Sequence, residues 1–179
     1  MITLERAVSL IAAGEEEARR QGLALAFAVV DDGGHLVALH RMDGAPWIAP
    51  EVALGKAWTA AAYRAPSAAQ GEKMKDLHAF SSAISAATGG RYTPQIGGLP
   101  ITDDGGAVIG AMGASGGTGQ QDEDAVRAAL GRDLRAPNRR ALIRYLSPAL
   151  TVRVRLPTVT LTRPLETLVS VPEQVSLTV

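Results

Sequence analysis

The chain contains no cysteine in 179 residues. That absence removes disulfides, thiolate metal sites and thiol nucleophiles together. No apolar run approaches the roughly 18 residues of a membrane span. The longest uncharged stretch of the first part, Gly105 to Gln121, holds 17 residues, but seven are glycines. The N-terminus lacks the positive start and apolar centre of a signal peptide, so a soluble cytoplasmic protein is expected, with no membrane partner. Net charge is also missing: 18 basic and 18 acidic groups cancel. No global positive field would steer the chain to nucleic acid or an anionic membrane.

The cancellation is uneven. Residues 134–179 carry seven arginines against Glu166 and Glu173, a net +5, which leaves −5 on residues 1–133. The last lysine is Lys75 and the last glycine Gly131. Composition therefore breaks near residue 133, separating a 1–133 domain from a basic, Pro/Val/Thr-rich extension.

Within 1–133, residues 3–21 read as an amphipathic helix. Thr3 is placed to cap it, Leu4, Val8, Ile11 and Ala12 mark a face, and Gly22 supplies the left-handed stop. Leu23–Val30 is an apolar run, Asp31-Asp32-Gly33-Gly34 a turn, and His35–His40 a second strand. The Asp-Gly pair suits a two-residue hairpin loop. The pattern returns with Leu99–Thr102, Asp103-Asp104-Gly105-Gly106 and Ala107–Met112. Between the hairpins, Pro50–Tyr63 is Ala- and Gly-rich, with Leu54, Trp58 and Ala61 on one face and small residues that allow close backbone approach. Pro66 breaks it, and further helical turns reach about Ala87. A last helix runs from about Gln120 to Leu130. The order predicts an α+β fold: an antiparallel sheet of about five strands with helices packed on it. In 134–179, prolines divide short runs such as Thr151–Leu156, Thr158–Thr162 and Val175–Val179, which reads as an extended arm able to cross to a neighbouring subunit.

Four groups of residues are candidates for chemistry. Gly113-Ala114-Ser115-Gly116-Gly117-Thr118-Gly119 is a glycine-rich strand-to-helix turn that could present N–H groups to an anion. It has neither the Lys-Ser/Thr of a phosphate loop nor GxGxxG. Thr118 and Gln121 form a capping box, and Asp122, Glu123 and Asp124 complement the helix dipole. The turn is therefore either a tight cap or a ligand wall offering the Ser115 and Thr118 hydroxyls. Arg41 and Asp43, near a strand end, either hold a carboxylate through the arginine fork or form a turn salt bridge. The histidines, at 35, 40 and 78, have no zinc-type spacing. His35 should face solvent and His40 end a strand, while His78, between Leu77 and Phe80, is the candidate axial ligand or proton carrier. Lys56 could pair with Glu51, reach a ligand anion, or sit on a solvated face.

Several of these segments occur together in one family. Phe27–Val37, Arg41-Met42-Asp43-Gly44-Ala45, Gly55-Lys56-Ala57 with Thr59-Ala60-Ala61, Gly97-Gly98-Leu99-Pro100-Ile101, and Gly113–Thr118 with Gln121-Asp122-Glu123 stand in order. In this the chain resembles the GlcG/HbpS-like haem-binding family, which includes the C-terminal domain of the PduO-type cobalamin adenosyltransferases. The resemblance covers roughly residues 2–132. It implies a profilin-like layer of helices on an antiparallel sheet, and homo-oligomers. Some members bind or slowly degrade haem, and others act as isomerases on aromatic ring-cleavage products. A threonine in a stretch like Ser115–Thr118 serves as haem ligand in one branch and histidines in another, which points here to His78 and Thr118 as iron ligands, with Ser115, Gly116 and Gly117 beside them. Lys73–Gly90 and residues 134–179 depart from the family pattern.

The first functional expectation is therefore binding of haem or a related small ligand. The second is a cofactor-independent isomerase or tautomerase of unsaturated carboxylates, with Arg41 holding a carboxylate and Asp43, Lys56 or His78 moving the proton. The third is a non-catalytic oligomeric scaffold whose basic arm docks on a neighbour's acidic body.

Overall fold

The computed structural model describes residues 1–133, 152–155 and 158–161. The chain divides into two compact units, Met1–Arg135 and Ala136–Val179.

The first unit is α+β. Helix α1 (Leu4–Arg20) is followed by strands β1 (Ala26–Asp31) and β2 (Leu36–Arg41), then α2 (Ala49–Tyr63), α3 (Ser67–Lys73) and α4 (His78–Ala87). Strands β3 (Gly98–Thr102) and β4 (Val108–Ser115) and helix α5 (Gly119–Asp133) complete it. The two hairpins join through β1 and β4 into one antiparallel sheet of order β2-β1-β4-β3. The sheet has four strands among the described residues, not the five expected. Strand β4 also runs three residues further than expected, since Gly113, Ala114 and Ser115 pair with Ala28, Phe27 and Ala26.

Alternation along β1 builds two cores. Leu25, Phe27 and Val29 face α1 and α5, joining Leu10, Ile11, Met112 and Val126. Ala26, Ala28 and Val30 face α2 on the other side. With helices on both faces, β1 needs no polar positions, and it reads as a continuous apolar run. Truncating a fully buried side chain of this size, Phe27 for instance, costs about 3–5 kcal/mol.

Both hairpin turns differ from the expected two-residue loop in the same way. The Asp31 and Asp103 N–H groups donate to the carbonyls of His35 and Ala107, closing three-residue loops. Only the second glycine of each turn is left-handed, Gly34 at φ 81° and Gly106 at φ 80°. The first aspartate accepts two backbone N–H groups through Oδ1: from Gly33 and His35 at Asp31, and from Gly105 and Ala107 at Asp103, each at 2.9 Å. One tetrapeptide thus produces one hydrogen-bond pattern twice.

The helices confirm the termini but shift the faces. Thr3 Oγ1 accepts the Arg6 N–H at 3.2 Å, and Gly22 is left-handed at φ 70°. The buried face of α1, however, is Ala7, Leu10, Ile11, Gly14 and Ala18, while Leu4 and Val8 are exposed. On α2 the buried stripe is Ala49, Ala53, Ala57, Ala60 and Ala61, and Leu54 and Trp58 lie on its half-buried flank. The stripe lets α2 lie so close to β4 that a Cβ on Gly113 would overlap the Ala53 carbonyl oxygen and the Ala57 nitrogen. Helix α4 buries none of its residues.

In the second unit, β5 (Val152–Arg155) pairs antiparallel with β6 (Thr158–Leu161), although no Asp-Gly or Asn-Gly turn connects them. The rest of the expected inter-subunit arm lies outside the described residues. Among the described residues no helix is long and apolar enough to cross a membrane.

Candidate functional site

The glycine-rich turn after β4 is built as a cap. Thr118 Oγ1 accepts the Gln121 N–H at 3.3 Å, and Gln121 Oε1 accepts the Thr118 N–H at 2.9 Å. This is the reciprocal capping box. Gly117 donates its N–H to Asp122 Oδ1 at 3.0 Å. Two N–H groups of the turn are therefore occupied within the protein. Ser115 is buried, whereas Gly116, Gly117 and Thr118 are exposed.

Beneath the turn, Asp122 points inward instead of complementing the helix end from outside. Its Oδ2 lies 2.7 Å from Lys56 Nζ, which also donates to the Ala114 carbonyl at 3.0 Å. Both side chains are almost fully enclosed, 5% and 2% exposed. The sequence readings that paired Lys56 with Glu51 or placed it on a solvated face are thereby corrected. Lys56 ties α2 to β4 and α5, and so fixes the base of the turn. Asp122 was missed as its partner. The available signal was a lone lysine inside the alanine stripe Ala53, Ala57 and Ala60, where a cation needs a buried counter-charge.

Arg41 and Asp43 line a shallow cleft of about 550 Å³ with Glu15, Arg19, Leu23 and Met42. Both are exposed, and neither forms an ion pair among the described residues. The expected turn salt bridge is not made. Lys56 and His78 do not line this cleft, so of the three residues expected to move a proton it holds Asp43, beside the carboxylate-holding Arg41.

The three histidines differ in their partners. His35 Nδ1 lies 3.2 Å from both carboxylate oxygens of Asp31. Burial alone would raise the Asp31 carboxyl, but hydrogen bonds from the His35 N–H, the His35 ring and the Gly33 N–H outweigh it and hold it below the ordinary carboxylate range. His40 Nδ1 lies 2.9 Å from Glu15 Oε1. His78, the first residue of α4, is exposed, and its imidazole has no hydrogen bond or ion pair among the described residues. Nearby, Leu77 and Phe80 are 51% and 56% exposed, and with Ile84 they share one face of the helix, from which His78 is turned away.

One further polar group is buried without a partner. The Tyr92 hydroxyl has no hydrogen bond among the described residues, and its ring sits 5.9 Å from that of Tyr63. Burial, and secondarily Tyr63, pushes the Tyr92 phenol up.

Residues 2–131 match the model of a family described as haem degrading protein, HbpS-like. The protein GlcG of Escherichia coli K12 is 38% identical over 115 residues, covering 64% of this chain and 81% of GlcG. The crystal structure of a double mutant of Streptomyces reticuli HbpS superposes with a TM-score of 0.64 at 29% identity, over 73% of this chain and 86% of that one. The crystal structure of a PduOC:heme complex superposes with a TM-score of 0.61 at 25% identity, over 73% of this chain and 93% of that one.

Proposed function

This chain belongs to the HbpS-like family, and from that membership we propose that it binds haem, with His78 as the iron ligand. The observation that carries the assignment is the state of the three histidines. His35 and His40 are each engaged by a carboxylate, while the exposed His78 imidazole has no hydrogen bond or ion pair among the described residues.

The residues present fit the group. An imidazole nitrogen is a common protein ligand to haem iron. Leu77, Phe80 and Ile84 offer apolar surface suited to a porphyrin face. Bound haem would supply an iron centre open to small ligands and electron transfer. The chain's own contribution is to hold the ring through His78 and to shield one face of it. The exposed Gly116–Thr118 turn, with Ser115 beneath it, is the alternative contact, and Thr118 the alternative ligand.

The test is haemin titration of the full chain followed at the Soret band. A saturable shift that His78→Ala removes and Thr118→Val leaves intact supports His78. Loss in Thr118→Val alone moves the ligand to the turn.

Self-association belongs to the same reading. It is supported by apolar side chains left exposed on the first unit, Trp47 at 79% and Phe80 at 56%. Sedimentation of the chain at two concentrations tests it, and an invariant monomer mass rejects it.

The isomerase reading has no observation in its favour, because Arg41 and Asp43 stand apart from Lys56 and His78.

A further inference from the structure

A second cleft, of about 230 Å³, opens where the tip of the first hairpin meets the flank of α2. It is lined by Gly34, His35 and Leu36 from the hairpin, Leu54 and Trp58 from α2, and Arg91. None of these residues belongs to the α4 stripe or to the Gly116–Thr118 turn. We propose that this cleft binds a small carboxylate carrying a flat apolar body.

The cleft's walls dictate the apolar body. Leu54, which packs against the edge of the alanine stripe, and Trp58 lie on the flank of α2, and both remain half-buried. Leu36 is 52% exposed. These side chains form a floor that a planar ring can cover, with the indole available for stacking. The hairpin is shaped to leave the indole in place. A Cβ on Gly34 would come within 2.8 Å of Trp58 Cδ1, and Gly34 holds φ 81°, a conformation that favours glycine.

The polar groups dictate the carboxylate. Arg91 is exposed, and its guanidinium has no hydrogen bond or ion pair among the described residues. The Trp58 indole N–H is likewise without an acceptor there. A guanidinium and an indole N–H are donors only, so they call for a ligand end that only accepts. A carboxylate meets a guanidinium in two parallel hydrogen bonds. No aspartate or glutamate lines the cleft, so it holds no carboxylate to pair with an ammonium.

Size limits the ligand to a single ring. The volume falls below the roughly 300 Å³ at which pockets for drug-sized ligands begin. This site is independent of the haem reading, since it shares no residue with His78 or Thr118.

The experiment uses the full chain carrying Trp47→Phe, so that Trp58 is the one remaining indole of the two. Phenylacetate is titrated against its fluorescence, with neutral phenylacetamide as the isosteric control. The expected result is a saturable change with phenylacetate, at least about tenfold tighter than with the amide, because a hydrogen bond to a charged group is lost. Arg91→Ala should weaken it by about the same factor, Arg91→Lys should retain part of it, and His78→Ala should leave it unchanged. Gly34→Ala should abolish it, and far-UV circular dichroism confirms that each variant is folded. No saturable change, equal binding of the amide, or an unaltered affinity in Arg91→Ala overturns the proposal. So does a fluorescence change that follows protein concentration without ligand, which would place a second copy in the cleft.

Discussion

Lys56 and Asp122, 66 residues apart in the chain, meet at 2.7 Å in the interior, between helix α2 and the first turn of α5. Each has a further partner, Ala114 O for the ammonium and the Gly117 N–H for the carboxylate. The pair holds the exposed Gly116–Thr118 turn against the body of the protein.

Breaking the pair from one side should therefore be costly. Lys56→Met leaves a buried carboxylate without its cation, and the expected loss is about 3–5 kcal/mol in chemical denaturation. Combining it with Asp122→Leu should recover a large part of that loss, since Gly117, the carboxylate's other partner, is an exposed residue that water can reach. A double variant as unstable as Lys56→Met would show that the carboxylate serves more than this pair.

Tyr92 offers the opposite case. Its buried hydroxyl has no partner among the described residues, and an unpaired buried group of this kind costs about 1–3 kcal/mol. Tyr92→Phe keeps the ring against Tyr63 and removes the hydroxyl, so thermal unfolding should move to higher temperature. A drop in the midpoint would reveal an acceptor, such as an internal water, that the hydroxyl uses.

Asp31 sets an acid limit on the first hairpin. Its carboxyl is held below the ordinary range by donors from His35 and Gly33, so it releases its proton more readily folded than unfolded. The stabilisation is complete above the unfolded value of about 3.9 and fades as pH falls through the lower folded value. The stability gap between the protein and Asp31→Asn should be widest near neutral pH and close on acidification. A gap that persists unchanged in acid contradicts an ionic origin.

Legibility in the sequence followed the range of the interaction. The Thr3 cap, the Gly22 stop, the Thr118–Gln121 capping box and both Asp-Asp-Gly-Gly turns depend on residues a few positions apart, and all were readable. The turns came out one residue longer than expected because the Asp31 and Asp103 side chains satisfy the N–H groups across a three-residue loop. The α1 face was misjudged for a different reason. Leu4 and Val8 are more apolar than Ala7 and Gly14, yet the small residues face the core because the helix packs closely over Phe27. The burial of Lys56 rests on a partner 66 positions away, which no local pattern carries. The pairing of His40 with Glu15, 25 positions away, was equally out of reach.

His78 as the ligand to haem iron is decided by haemin titration of the full chain beside His78→Ala. His78 is exposed, so the variant should fold as the parent does, and circular dichroism checks this. The account predicts a saturable Soret shift in the parent and its loss in His78→Ala, with the shift retained in His35→Ala and His40→Ala. A parent without a Soret shift, or a His78→Ala variant that binds haemin as the parent does, contradicts it.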